Sequence, residues 1–131
     1  MGILRALGFW VAIAGLVFAG CAGTQPIQNV EKSPITLPPG KKMNLQQVTT
    51  AIMRAGTRLG WQIQPRSPGR LSGRLDLRGH SAMVDIEHDT RTYTIKYRDS
   101  VNLDAKDGMI HRNYNGWIQN LDKNIRAELM L

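Results

Sequence analysis

The three histidines are the first candidates for chemistry, because imidazole binds zinc and exchanges protons near neutral pH. His80 and His88 fall at the two ends of one candidate strand, and His111 lies further along the chain. Eight residues at about 3.3 Å each would separate His80 from His88 by ~26 Å, whereas a shared zinc requires bonds of ~2 Å. No HxH or HxxxH pair occurs. The sequence therefore predicts no metal site and no cofactor.

The acidic residues offer two further alternatives, and neither has a specific signature. Asp85 and Glu87 share one strand face roughly 7 Å apart, a separation comparable to that of glycosidase carboxylates. Such a pair on an open sheet is more often a charge ladder with cross-strand basic partners. The polar loop 99–108 lacks calcium-loop spacing, because Lys106 and Asn113 fall where ligands are needed. No serine has a G-x-S-x-G setting, so no catalytic residue is assigned.

A group of polar and aromatic side chains leaves a ligand-binding or small hydrolase-like site open as an alternative. Four of them are expected at one edge of the sheet, and two aromatic residues lie at the start of the last helix. The alternative is that the aromatic pair fills the core. The residues of this candidate patch are His80, Tyr97, Asp99, His111, Tyr114 and Trp117.

The basic residues suggest a third kind of site. The chain carries 17 Lys+Arg and 10 Asp+Glu, a formal net charge of +7. Several basic residues alternate along the strands and predict a basic face that could bind anionic envelope polymer or lipid headgroups. The alternative is a solvated face partly neutralised by Asp76, Asp85 and Glu87. The predicted basic face consists of Arg74, Arg78, Lys96 and Arg98.

The single cysteine has the most specific setting in the chain. Arg5 is the only charged residue of Met1–Gly20, and an uncharged run from Ala6 to Gly20 follows it. This run is short for a membrane-spanning helix, which needs about 20 apolar residues, and it ends in small residues as a signal peptide does. One cysteine excludes a disulfide framework.

The segment Val17-Phe18-Ala19-Gly20-Cys21 resembles the lipobox of bacterial lipoproteins, with Phe18 where Leu is commoner. The resemblance implies that residues 1–20 are a signal peptide and that Cys21 receives a diacylglyceryl group and an N-acyl chain such as palmitate. Ala22 follows the cysteine, where Asp tends to signal inner-membrane retention in such lipoproteins. The resemblance thus implies an outer-membrane anchor with the protein facing the periplasm, and export makes a nucleic-acid partner improbable.

The remaining chain divides into a tether and one domain. Four prolines lie in residues 21–42, which predicts a lipidated cysteine followed by an extended tether spanning ~25 Å. An edge strand near 28–35 is left open. Residues 43–131 read as a helix from Asn44 to Gly60, four short strands and a second helix capped by Asn113 or Asn115. The predicted fold is α+β, a two-layer sandwich of two helices on a small antiparallel sheet in the order α-β-β-β-β-α.

Three stretches of the domain also resemble a group of small uncharacterised proteobacterial lipoproteins. They are 77–82, 95–100 and 112–122, and the resemblance supplies no catalytic residues. The sequence therefore favours a non-enzymatic binding module in the cell envelope, with an envelope protein or an anionic polymer as partner. The hydrolase-like or ligand-binding site and the basic face remain its alternatives.

Overall fold

The computed structural model describes residues 23–131, so the predicted signal peptide and Cys21 lie outside the described residues. Within this range the chain forms an α+β fold of two helices, a five-stranded antiparallel sheet and a two-stranded sheet, which confirms the predicted fold class. No helix of this range is long and apolar enough to cross a membrane. The elements are β1 Thr24–Pro26, β2 Val30–Pro34, α1 Leu45–Arg58, β3 Gln62–Ser67, β4 Arg70–Leu77, β5 His80–His88, β6 Thr92–Val101, β7 Met109–His111 and α2 Arg112–Leu129.

Helix α1 begins and ends where its sequence predicts. The Asn44 side chain accepts from the backbone N–H of Gln47, and the Gln47 side chain accepts from the backbone N–H of Asn44, which forms a capping box. Gly60 has a φ of 87° just beyond the helix, a conformation that glycine adopts without a steric penalty. The buried stripe of α1 includes Val48, Ile52 and Ala55.

The main sheet has the strand order β2-β6-β5-β4-β3 with every neighbour antiparallel. Tight turns join its central strands, as at Arg78 and Gly79, whose φ values of 53° and 79° suit a two-residue hairpin loop. One face of the sheet packs against the helices. Alternate residues of β4, β5 and β6 are buried there, including Leu75, Val84 and Ile95.

Helix α2 lies beside α1 and starts earlier than predicted. Its N-cap is His111, whose side chain accepts from the backbone N–H of Asn113, so neither Asn113 nor Asn115 caps the helix. The buried side of α2 includes Tyr114, Ile118, Leu121, Ile125 and Leu129, which follow the predicted stripe. Asn115 is buried as well, because it is engaged by another part of the chain.

The chain before α1 differs from the extended tether predicted for residues 21–42. β1 pairs with β7, and β2 adds an edge strand to β6, so residues 24–34 belong to the folded domain. The structure thus places a strand at Val30–Pro34, inside the segment 28–35 for which the sequence allows either an edge strand or a tether. The physical reason lies in partners distant in sequence, because a short edge strand needs few apolar residues when its backbone joins an existing sheet.

Candidate functional site

The face of the main sheet that points away from the helices carries many exposed charged and amide side chains. Its strands alternate, so every second residue of β3, β4, β5 and β6 projects from this side. A register shift in β6 also places Asp99 on this face, opposite Met83. The exposed charged and amide residues of this open face are Gln62, Gln64, Arg66, Arg74, Asp76, Asp85, Glu87, Lys96, Arg98 and Asp99. We use the term open face for this set.

Part of the open face is a shallow hollow. It has a volume of about 190 Å³ and is lined by residues from four neighbouring strands. Three arginines and two side-chain amides surround it, so the hollow offers hydrogen-bond donors with no carboxylate in its lining. The lining residues are Gln62, Gln64, Arg66, Ser72, Gly73, Arg74, Met83 and Arg98.

The three arginines differ in how far they are already paired. Arg66 Nε donates to Ser72 Oγ at 2.9 Å, and no carboxylate of the described chain lies within salt-bridge distance of it. Arg98 Nη1 lies 3.9 Å from Asp85 Oδ1, at the limit of an ion pair between two exposed groups. Such a contact contributes little, so both guanidinium groups are available to an anion.

Arg74 is the most engaged of the three. Its Nε donates to both carboxylate oxygens of Asp76 at 3.1 Å. These hydrogen bonds, together with one from Ser81, lower the pKa of Asp76, and the bond to Asp76 raises the pKa of Arg74. Both side chains are exposed, so a competing anion in the hollow can exchange with Asp76.

The predicted basic face is only partly assembled. Arg74 and Arg98 line the hollow, and Lys96 lies on the same side of the sheet opposite Asp85. Arg78 instead lies in the turn between β4 and β5. Arg66 joins the set because β3 pairs with β4, which places its alternating polar residues beside Arg74. That alternation, Gln62-Gln64-Arg66, is the sequence signal that could have identified the hollow.

The polar members of the candidate ligand patch are not joined to one another by hydrogen bonds in the described chain. His80 Nδ1 donates to the Asn102 carbonyl at 2.6 Å, which ties the start of β5 to the chain after β6. The Asp99 carboxylate accepts from the backbone N–H of Ser100 at 2.8 Å. His111 caps α2. Each group is therefore bonded to the backbone: Asp99 and His111 to their own neighbours, and His80 to the chain after β6.

The aromatic members of the patch lie in or against the core. Tyr114 is fully buried, and its ring meets Tyr97 edge to face at a centroid distance of 5.5 Å. Burial raises the pKa of Tyr114, whose hydroxyl has no hydrogen-bond partner in the described residues. Tyr97 shares a hydrogen bond of 2.8 Å with Ser100, and Trp117 packs half-buried against the core. Their positions match the core-filling alternative.

A buried polar network links the sheet to α2, and no spacing in the sequence predicts it. The Tyr93 hydroxyl donates to Asp122, which also accepts from Arg126. Burial and the bond to Asp122 raise the pKa of Tyr93 to about 12. Tyr93 is fully buried and Asp122 is 8% exposed, so this network supports the fold and is closed to a ligand.

A second hollow, of about 450 Å³, lies between the start of α1 and the end of α2. Lys41, Lys42 and Arg54 line it, but so does the buried carboxylate of Glu128, which ion-pairs with Arg58 at 2.6 Å. The carboxylate in its lining distinguishes this hollow from the one on the open face.

Across residues 23–131 no three His, Cys, Asp or Glu side chains come close enough together to hold a metal ion. No protein-family model, curated protein or solved structure matches the chain. The chemistry of the open face is therefore the main guide to function.

Proposed function

We propose that the protein is a lipid-anchored, non-enzymatic binding module of the bacterial envelope. In this proposal Cys21 carries the lipid, the domain faces the periplasm from the outer membrane, and the open face binds an anionic polymer. The observation that carries the proposal is the hollow in which Arg66, Arg74 and Arg98 converge without a carboxylate in the lining.

The size of the hollow supports a polymer ligand over a small-molecule substrate. Pockets for small molecules usually measure about 300–1,000 Å³ and bury most of the ligand. The hollow is smaller, at about 190 Å³, and accommodates one acidic group at a time. A polymer that repeats such groups can contact the hollow and the neighbouring Lys96 together. Arginine suits this role because its planar donors match a carboxylate in pairs.

The polar residues of the candidate ligand patch support binding over catalysis. His80 donates to a backbone carbonyl, Asp99 accepts from a backbone amide, and His111 caps a helix. General acid–base catalysis needs such groups within hydrogen-bond reach of a shared reacting atom. A binding role makes no such demand, and it uses residues that are already exposed.

The lipid anchor has its own test, independent of the open face. Two or more acyl chains hold a protein in a bilayer where a single chain binds only reversibly. Mass spectrometry of the mature N-terminus should find a diacylglyceryl thioether and an N-acyl chain on Cys21. A free Cys21 thiol, or a chain that still begins at Met1, would contradict the anchor.

The binding role is tested by co-sedimentation of the detergent-solubilised full-length protein with purified peptidoglycan sacculi. Binding should weaken as salt rises, because exposed charges are screened over about 10 Å at 0.1 M ionic strength. We expect Arg66→Glu with Arg98→Glu to weaken binding about tenfold, since each of the two lost contacts is worth up to about 1 kcal/mol.

The matched control is Arg54→Glu with Lys123→Glu, which changes the net charge equally on the exposed sides of the two helices. This control should bind within about twofold of the unmodified protein. Equal losses in the two double variants, or binding that salt leaves unchanged, would refute a role for the open face. Binding to anionic vesicles without binding to sacculi would refute a polymer ligand and identify lipid headgroups as the ligand of the open face.

A further inference from the structure

The start of the described chain is held tightly to the domain. The backbone N–H of Arg112 donates to the Gly23 carbonyl at 2.7 Å, and Thr24 pairs with His111. The buried Asn115 side chain then accepts from the backbone N–H of Gln28 at 3.0 Å and donates to the Pro26 carbonyl at 2.9 Å. Tyr97 donates its backbone N–H to Asn29 Oδ1. Residues 23–29 are thus fixed along α2 and β6.

This attachment places one end of the domain close to Cys21. Only Ala22 lies between Cys21 and Gly23, so two residue steps join their Cα atoms, and an extended chain covers at most ~3.6 Å per step. Gly23 therefore lies within ~7 Å of the Cα atom of Cys21, far less than the ~25 Å expected for a free tether of about 20 residues.

The end of the sheet next to Gly23 has two exposed apolar side chains. His111 donates its backbone N–H to the Leu103 carbonyl, which brings the chain just after β6 beside the start of α2. Val101 ends β6 and is 53% exposed. Leu77 ends β4 in the neighbouring hairpin and is 42% exposed.

These two residues are half of the exposed large apolar side chains of residues 23–131. The other two, Met130 and Leu131, follow α2 at the opposite end of the domain. Arg78 follows Leu77 in the β4–β5 turn, and Arg112 begins α2 beside Gly23. Asn102 Nδ2 donates to the Gly79 carbonyl and joins that turn to the chain after β6. We call this group, Gly23, Leu77, Arg78, Val101 and Arg112, the anchor end.

We propose that the domain rests on the bilayer by its anchor end in one fixed orientation. This inference depends on the proposed lipidation of Cys21. The partner is the phospholipid surface itself, because the short connection holds the anchor end at the level of the headgroups. Leu77 and Val101 then enter the interface, and the two guanidinium groups contact lipid phosphates, as apolar and basic side chains do at membrane surfaces.

The orientation has a consequence for the open face. Both β4 and β6 end at the anchor end, so the strands run away from the membrane. β6 has ten residues, which extend over about 33 Å at 3.3 Å per residue. The open face is therefore directed sideways, at a height set by the strand length and not by a flexible tether.

The test uses the full-length lipidated protein in vesicles of phosphatidylethanolamine and phosphatidylglycerol. Because lipid occupies the only native cysteine, an introduced cysteine can be labelled alone with a fluorophore. Leu77→Cys places the label at the anchor end, and Ser67→Cys places it at the exposed end of β3, next to the β3–β4 turn and at the other end of the sheet. Lipids with a nitroxide on the headgroup serve as the quencher.

We expect several-fold stronger quenching at position 77 than at position 67, where quenching should stay at the background seen without nitroxide lipid. Ten Gly/Ser residues inserted between Ala22 and Gly23 should reduce quenching at position 77, because the longer connection lowers the effective concentration of the anchor end at the bilayer. Equal quenching at the two positions in protein that floats with the vesicles would overturn the fixed orientation alone. Protein that does not float would overturn the lipid anchor, and the orientation with it.

Discussion

Replacing Asn115 with alanine should release the first strand from the domain. Asn115 is 1% exposed and holds residues 25–28 by hydrogen bonds of its side-chain amide to Gln28 N–H and to the Pro26 carbonyl. A third and longer bond, 3.3 Å, reaches Gln25 Oε1. Alanine removes all three without adding bulk, so the change is confined to the attachment of the N-terminal segment.

The size of the expected loss of free energy follows from the two hydrogen bonds of ordinary length, to Gln28 N–H and to the Pro26 carbonyl. A typical intramolecular hydrogen bond contributes about 1 kcal/mol, and a buried group left without a partner costs about 1–3 kcal/mol. We therefore expect Asn115→Ala to lower the free energy that holds residues 24–34 in place by about 2 kcal/mol. Since 1.4 kcal/mol corresponds to a factor of ten, the backbone amides of this segment should exchange with solvent about 30-fold faster.

Hydrogen–deuterium exchange read by mass spectrometry measures this change peptide by peptide. Peptides from β1 and β2 should lose protection, while those from β4 and β5 should change much less, because the side-chain hydrogen bonds of Asn115 all go to residues 25–28. Asn120→Ala is the control, since Asn120 is exposed on the same helix. If both variants exchanged alike, or if protection fell evenly over the whole domain, the conclusion that Asn115 holds residues 24–34 in place would be refuted.

Three further changes test the packing around the sheet. Gly69→Ala should destabilise the protein by at least about 1 kcal/mol more than Gly79→Ala, as measured by urea unfolding. Both glycines have a positive φ, so the backbone strain is common to the two variants. A Cβ at Gly69 would lie 2.5 Å from the His88 carbonyl oxygen, whereas one at Gly79 meets nothing within 4 Å. Tyr93→Phe should cost about 1.5–3 kcal/mol at pH 7 because Asp122 loses a donor. Since the pKa of Tyr93 is raised to about 12 in the folded state, the free energy of unfolding should fall as pH rises from 10 to about 12, and Tyr93→Phe should flatten that fall; an unchanged alkaline slope would contradict the assignment. Thr49→Val should lower the free energy of unfolding by about 1–3 kcal/mol, because it removes the buried hydroxyl that lies 2.7 Å from His88 Nε2. Thr50→Val is the control and should have a smaller effect, because the part-exposed Thr50 hydroxyl bonds to the backbone of its own helix.

The elements that could be predicted from the sequence are those whose stability is local. The stripe of α1 recurs at helical spacing and has its cap at Asn44, and β4, β5 and β6 alternate with turns between them. Each pattern is complete within about fifteen residues. β1, β2 and β7 have no such pattern, because their backbone groups are satisfied by partners far away in the chain, as when Thr24 pairs with His111.

Asn115 illustrates the same limit for a single side chain. Its type and position at a helix start favour a cap, which is a local role. In the fold it bonds residues about ninety positions earlier in the chain, and His111 becomes the cap. The hollow on the open face also depends on partners distant in sequence, because Arg66 and Arg74 line it together only through the pairing of β3 with β4. Spacing predicts which side of a strand a residue occupies but not which strand lies beside it.

The attachment of the N-terminal segment through Gly23 and Asn115 has a function separate from that of the open face. Either one can be lost by mutation without loss of the other. A free tether of about 20 residues would let the domain sample heights over ~25 Å above the membrane, so a weak binding face would meet its polymer at many distances. Held by Gly23 and Asn115, the same face stays at one height, which raises its effective concentration only for a ligand at that height. Asn115→Ala should therefore weaken binding to sacculi when the protein is anchored in vesicles. Binding in detergent should change little, because no membrane surface there sets the distance of the open face from its ligand. A loss of equal size in detergent would place Asn115 in the folding of the open face itself.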